Sequence, residues 1–379
     1  MNIVLLGPAY PYRGGLASFN ERLARELQQR GHRVHIITFT KQYPDFLFPG
    51  KTQFSNSPPP TGLQISRMVH AYQPLNWYRV GRRLQAMDFD LLVTRFWLPF
   101  MGPALGTILK QAKKNRRIKT VAIIDNIIPH EKRPGDKVLT KYFVKQVDRF
   151  IVLSKFVGHQ LRAFTKTKPI AYSPHPLFDN YGAPTPRDEA LQYLGLDSHR
   201  RYLLFFGFIR AYKGLDILLQ AMASERLRNL PVHLIVGGEF YDREEKYLSL
   251  IKQHGLSDRV HLFTRFIPDN EVKYFFSAAD LVVQPYRSAT QSGISQIAMH
   301  FGVPMVVTDV GGLREIVKDG TTGLLADPDP ASVAGAIARF FSGINQEAMR
   351  TEIQKERVLF EWDHFVQTLL DDEGDTIHY

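Results

Sequence analysis

Two α/β domains, each an open parallel sheet covered by helices, are predicted by three features of this 379-residue sequence. The length is more than one ordinary core fills and suggests two domains, each somewhat below about 200 residues. Strand-length apolar runs alternate with helix-period segments through both halves. Between the halves lies the proline-rich stretch SPHPLFDNYGAPTPRDE, read as a linker at about 173–186.

The first forty residues form a β-α-β unit: strand 3–6, the loop GPAYPYRGG, a helix at about 16–30 stopped by Gly31, and strand 34–39. Leu16, Phe19, Leu23, Ala24 and Leu27 line one face of that helix. Gly14 and Gly15 stand just before it, where they fit a tight turn and close backbone approach to a ligand equally well. Residues 41–60 are irregular and carry Phe46, Leu47, Phe48 and Phe54, either covered core or a lip for lipid or an acceptor tail. Strands at 63–69, 91–95, 120–124 and 150–153 then alternate with helices at about 76–87, 104–114, 137–146 and 154–164, the last with Ser154 as N-cap. The second half opens with strand 202–206, the loop GFIRAYKG and helix 215–227. It continues through strands 233–236, 260–263 and 281–284 with helices 243–254 and 270–278. The stretch 284–328 supplies a polar loop, a helix, strand 304–308, a Gly-Gly turn and a short helix, and 345–370 reads as one helix. The domains are therefore placed at 1–180 and 187–344, with 345–379 packing back toward the first.

Hydrophobic content of 44% with 22% charged residues is that of a soluble globular protein. The absence of cysteine excludes disulfides, thiolate zinc sites and cysteine nucleophiles. The start MNIVLLGPAY lacks the pattern of a signal peptide, and no run is apolar enough to cross a bilayer, so a cytoplasmic protein is expected. Residues 1–180 carry 28 Lys and Arg against 10 Asp and Glu; the remainder carries 20 against 27. The basic half clusters its charge at 79–83, 110–119 and 132–145, which suits a solvated face or an anionic partner: membrane lipid, a phosphate-bearing acceptor or nucleic acid. No basic-aromatic interleaving marks a single-strand platform, which speaks against nucleic acid.

Two α/β domains on short linkers make a cleft in which the carboxyl edges of two sheets can face one another. Arg210 and Lys213 follow a strand and precede a helix, placing two cations where a diphosphate needs charge-assisted donors; a surface charge is the alternative for Arg210. Thr290, Gln291, Ser292 and Gly293 lie at a strand-to-helix handover, where backbone N–H groups and the helix dipole favour an anion. Asp125, His130 and Glu131, in the loop after strand 120–124, are candidates for acceptor binding or proton handling, or a plain turn in which Asp125 caps and His130 is exposed.

The segments GFIRAYKGLDILLQAM, ADLVVQPY, AMHFGVPMVVTDVGGLREIVKDGTTGLLADP and RFIVLSKFVGHQL, with the spacing of Gly14, Gly15, Leu23, Ala24, Leu27, Gly31 and His32, resemble the GT-B glycosyltransferases of the retaining family-4 type. The resemblance covers nearly the whole chain. It implies two Rossmann-like domains, a nucleotide-sugar donor (UDP- or GDP-linked) held mainly by the second, an acceptor on the first, no required metal or other cofactor, and transfer with retention. By position, Arg210 and Lys213 match the basic pair at the donor diphosphate, Gly15 the amino-terminal loop near the phosphate, and Gly293 the loop whose amides meet the donor. The family's two glutamates, eight positions apart, are replaced by Ala289 and Ile297. Thr290, Gln291, Ser292 and Gln296 then carry donor recognition, or the donor is not an ordinary nucleotide sugar, or the site has decayed. The expected function is transfer of a sugar to a lipid-linked or cell-envelope glycan acceptor, peripherally on the inner membrane face. The alternative is a non-catalytic GT-B protein that binds or scaffolds a partner.

Overall fold

The structure, a computed structural model, describes residues 1–43, 52–55, 58–114, 118–129, 133–290 and 292–371. The chain divides into two compact units, Met1–Pro176 together with the segment from Trp362, and Leu177–Glu361.

In the first unit the strands are β1 (Asn2–Leu6), β2 (Arg33–Lys41), β3 (Gln64–His70), β4 (Leu91–Phe96), β5 (Lys119–Ile124), β6 (Arg149–Val152) and β7 (Ile170–Tyr172). They form one sheet in the order β3-β2-β1-β4-β5-β6-β7, every pair parallel. Parallel sheets are covered on both faces, so their inner strands read as unbroken apolar runs, and all six residues of β4 are buried. The helix Gly15–Gln29 buries Phe19, Leu23, Ala24 and Leu27, the face its spacing predicts. Ser154 caps the helix Lys155–Arg162 by accepting from the Val157 amide at 3.2 Å.

The second unit holds β8 (Arg201–Phe206), β9 (Val232–Gly237), β10 (Val260–Phe263), β11 (Leu281–Gln284), β12 (Met305–Thr308) and β13 (Gly323–Ala326). Their order is β10-β9-β8-β11-β12-β13, again all parallel. Both sheets thus have the doubly wound order in which the chain reverses direction across the sheet at one point. That point lies between β1 and β4 in the first unit and between β8 and β11 in the second.

Three local expectations are corrected. The helix read at 345–370 is two helices, Gln346–Glu356 and Trp362–Leu370, separated by the 3-10 turn Arg357–Phe360. Glu361 is extended, and the Phe360 carbonyl accepts from the Leu177 amide at 2.9 Å. The helical period continues through the break, so spacing alone does not show it. The later helix, not the earlier, joins the first unit, where Trp362 and Phe365 pack 5.0 and 5.5 Å from the Phe19 ring and Arg149 donates to the Thr368 carbonyl at 2.7 Å. The helix read at 215–227 breaks at Ser224, whose extended backbone separates Leu215–Ala223 from Glu225–Arg228. The short strands β7 and β13 have too few residues to show a period. Of the apolar loop residues, Phe54 is exposed with the Arg67 guanidinium 5.9 Å from its ring; Phe46, Leu47 and Phe48 lie outside the described residues.

Candidate functional site

β8 and β11 are neighbours, paired at Leu281–Leu203 and Val282–Leu204, although the paired residues are 78 positions apart in sequence. Their loops therefore leave the carboxyl edge side by side at the switch point, where a doubly wound sheet opens a ligand crevice. Arg287 locks the two loops together. Its amide donates to the Tyr212 carbonyl at 2.7 Å, and its guanidinium donates to the Ala211 carbonyl at 2.9 Å and to both Asp216 oxygens at 2.8 and 2.9 Å. Burial alone would raise the Asp216 carboxyl, but the bonds from Arg287 and Lys246 hold it below its usual range. The loops also touch at Gly214, which has φ +69° and where a Cβ would stand 2.0 Å from the Pro285 oxygen, so only glycine fits.

This geometry brings Lys213 to the start of the helix Gly293–His300. A Cβ on Gly207 would lie 3.0 Å from Lys213 Nζ and 3.2 Å from Ile294 Cδ1, so the ammonium and the helix's first turn pack over the same glycine. The ammonium also lies 5.6 Å from the Tyr286 ring. Burial, and then the charge of Arg210, push Lys213 down from the usual lysine range to about 7. Arg210 precedes Lys213 across the 3-10 turn Ala211–Lys213, with its guanidinium 5.1 Å from the Tyr241 ring centre. Ser292 caps the helix by accepting from the Ile294 amide at 3.3 Å, and its Oγ is 3.4 Å from the buried Tyr286 hydroxyl, which burial holds well above the usual tyrosine range. Gly293 packs against Phe178, where a Cβ would come within 2.9 Å. Two basic side chains, one of them pushed down to about 7, and a helix amino end thus lie at one edge of one sheet. Such an arrangement has the chemistry to hold a phosphate-borne anion.

Thr290, Ser292 and Gln296 are all buried, and Gln296 Oε1 has no hydrogen-bond partner. Gln291 lies outside the described residues. Ala289 and Ile297, at the two glutamate positions, are buried as well. In the first unit Gly14 has φ +99° and precedes the helix Gly15–Gln29, which has no side-chain cap and no acid in its first turn. Asp125 follows β5 and is buried against Arg95 at the end of β4, bonded to Nε at 2.6 Å and to the terminal nitrogen at 2.5 Å. His130 and Glu131 lie outside the described residues. Sequence spacing singled out Arg210, Lys213 and Gly293 as candidates but did not point to Gly207, Tyr286 or the Arg287–Asp216 clamp, since 71 residues separate Arg287 from Asp216. Among the described residues, no cluster of three or more His, Asp or Glu gathers to hold a metal ion.

Residues 13–176 match the family described as Glycosyltransferase Family 4, and residues 186–357 match Glycosyl transferases group 1. A D-inositol 3-phosphate glycosyltransferase of Mycolicibacterium vanbaalenii is 31% identical over 76% of this chain and 67% of its own length. The chain belongs to the group 1 glycosyltransferases. A second D-inositol 3-phosphate glycosyltransferase, from Thermobifida fusca, is 28% identical over 87% of this glycosyltransferase and 81% of its own length. Among solved structures, sucrose-phosphate synthase from Thermosynechococcus elongatus overlays with a TM-score of 0.76 at 20% identity, covering 97% of each chain. The Anabaena protein HepE in complex with UDP gives 0.72 at 18% identity, covering 97% of this chain and 99% of its own. At these identities the overlays show the fold, which is two Rossmann-like domains of the GT-B type.

Proposed function

We propose that this glycosyltransferase moves a sugar, with retention, from a UDP- or GDP-linked donor held by the second unit to a lipid-linked or cell-envelope glycan acceptor held by the first. The reading rests on the packing of Lys213 over Gly207, beside Arg210 and the first turn of the helix Gly293–His300. As the glycosidic bond breaks, negative charge grows on the leaving diphosphate while the anomeric carbon becomes oxocarbenium-like. Arg210 and Lys213 stabilise that charge, and the helix amino end adds oriented N–H groups. A diphosphate oxygen, freed on the same face, takes the proton of the attacking acceptor hydroxyl. Donor selectivity falls to Thr290, Gln291, Ser292 and Gln296, since the side chains of Ala289 and Ile297 cannot accept hydrogen bonds. A thermal-shift panel of nucleotides and nucleotide sugars, followed by NMR of the product's anomeric proton, tests the donor and the stereochemistry. Nucleotide binding without turnover under any acceptor would leave a non-catalytic binding protein instead.

The depressed Lys213 has a measurable consequence. A bound diphosphate favours the ammonium, so the group titrates higher in the complex than in the free protein. At pH 8 the free protein holds Lys213 mostly neutral, and binding UDP takes up a proton. Affinity for UDP accordingly falls as pH rises from about 7 towards the usual lysine range. Calorimetry in buffers of different ionisation enthalpy reads the proton uptake; heats independent of the buffer would place the diphosphate elsewhere.

The proposal also puts the first unit on an anionic membrane surface. Its helices Pro74–Gln85, Gly102–Ala112 and Asp136–Gln146 pack side by side. The outer face of the first exposes Leu75, Tyr78, Arg79, Arg82 and Arg83, and that of the third exposes Lys137, Val138, Lys141, Tyr142 and Lys145. Pro74–Gln85 contains no acid, and Asp136–Gln146 has only Asp136, at its start. Apolar tips among cations suit an anionic headgroup layer. Reversing Arg79, Arg82 and Arg83 to glutamate is expected to cut partitioning onto phosphatidylglycerol vesicles by roughly a hundredfold or more, at about 1 kcal/mol per basic residue removed. Equal binding of the variant, or equal binding to neutral phosphatidylcholine, would remove the membrane from the proposal. Among the described residues no helix is long and apolar enough to cross a membrane.

A further inference from the structure

Four hydrogen bonds from Arg287 converge on the segment that carries Lys213. Two reach the carbonyls of Ala211, at 2.9 Å, and Tyr212, at 2.7 Å, the first two residues of the 3-10 turn Ala211–Lys213. The other two reach both oxygens of Asp216, in the first turn of the helix that follows, at 2.8 and 2.9 Å. One residue of the loop after β11 therefore holds the turn after β8 at its start and just beyond its end. The Lys213 amide closes that turn on the Arg210 carbonyl at 2.9 Å. Among the described residues no carboxylate acts on the Lys213 ammonium, only burial and the charge of Arg210. A flexible four-carbon stem without a counter-charge takes its place from the backbone beneath it.

Arg287 is itself fixed to the other half of the site. The Tyr286 carbonyl, one residue earlier, accepts from Thr308 Oγ1 of β12 at 2.6 Å. Gln284, the last residue of β11, donates to Ser295 Oγ at 2.9 Å and accepts from it at 3.2 Å, which ties the helix Gly293–His300 to the same strand. The contact of Gly214 with the Pro285 oxygen keeps the two loops from sliding closer. Charge balance does not require Arg287, because Lys246 Nζ already stands 3.1 Å from Asp216 Oδ2. Stability does not explain it either, since the Arg287 side chain is 44% exposed and ion pairs open to water contribute little. What a guanidinium adds is geometry: its donors form a rigid planar fork that sets distance and angle together.

We propose that Arg287 is a positioning residue that holds the Lys213 turn at a fixed spacing from the start of the helix Gly293–His300. The cation and the helix amino end then meet one diphosphate without rearrangement. This rests on the diphosphate reading above and names the residue that sets the site's geometry, acting through Lys213 rather than on the substrate.

The first test needs no nucleotide. Competitive labelling of the full chain with acetic anhydride from pH 5 to 10, read at Lys213 by mass spectrometry, gives the titration of that amine in the free protein. In the wild type it should lie at about 7. In Arg287→Ala the turn is released to water and the titration should rise by about one unit or more. Arg287→Lys, which keeps a charge on Asp216 but not the fork, should give a smaller rise and covers the case in which the alanine variant does not fold. Lys246→Ala removes the other partner of Asp216 and should leave Lys213 where it is. Melting temperatures identify the folded variants. The second test is calorimetry with UDP and GDP from pH 7 to 9. Affinity should begin to fall about one pH unit higher in Arg287→Ala than in the wild type, and Lys213→Ala should abolish the fall. An unmoved Lys213 titration in the folded Arg287 variants, or an equal rise in Lys246→Ala, would overturn the inference. Binding of neither nucleotide, or wild-type pH dependence in Lys213→Ala, would instead overturn the diphosphate reading, and the labelling result keeps the two failures apart.

Discussion

Replacing Arg210 or Lys213 by alanine is expected to lower sugar transfer by roughly a hundred- to a thousandfold, the effect of removing one preorganised donor aimed at developing charge. The size follows from the environment. Lys213 is part-buried, packed over Gly207 beside Tyr286 and Ile294, and burial together with the charge of Arg210 drives it down to about 7 in the free protein. An ammonium held this close to deprotonation is poorly matched to the free site and well matched to a diphosphate, so its stabilisation is realised when negative charge arrives. Loss should appear in kcat as well as in donor KM, because the leaving group carries more charge at the transition state than in the bound donor. Arg210, which reaches over Tyr241 and does not pack against the helix Gly293–His300 through Gly207 as Lys213 does, should show the smaller loss. Steady-state kinetics on both variants, with melting temperatures to exclude misfolding, checks this. Turnover and donor affinity left unchanged in both would move the diphosphate away from this edge.

Asp125→Ala is expected to destabilise the first unit by about 3–5 kcal/mol, because it leaves a buried guanidinium without its counter-charge. Arg95 is 3% exposed, bonded to Asp125 through two nitrogens, and stacked with its Cζ 3.8 Å from the Phe19 ring; its third nitrogen has no partner. It cannot turn to solvent without disrupting Phe19, which also packs on His175, Trp362 and Phe365. For a unit of this size each kcal/mol moves the midpoint by about 2–4 °C, so a fall of roughly 10 °C is expected in thermal unfolding. Replacing both partners, Arg95→Met with Asp125→Leu, should recover most of the loss, since no charge then remains buried. An alanine variant with wild-type melting but lost transfer would instead assign Asp125 to proton handling or acceptor binding.

Asp125 illustrates what order along the chain can and cannot disclose. Its place after a strand marked it as a carboxyl-edge residue, and it is one. Its pairing with Arg95 joins residues 30 positions apart and exists because β4 and β5 are neighbours. The same limit applies to Lys213. The segment GFIRAYKG placed a cation between a strand and a helix and Arg210 beside it, but the burial that is the larger cause of its depressed titration comes in part from Tyr286 and Ile294, which the adjacency of β8 and β11 brings to it.

Local chemistry was sufficient wherever the deciding interaction is short in sequence. Apolar runs bounded by turns marked most of the strands, Ser154 was legible as a cap from its position alone, and the face of Gly15–Gln29 followed from a period of 3.6. Strand order, the break at 357–361 that sends Trp362 into the first unit, and the site's electrostatics were settled by tertiary structure. The reason is physical. Helix period and capping depend on neighbours within about four residues, whereas burial, ion pairing and the titration of Lys213 depend on which strands lie side by side, and no local pattern encodes that.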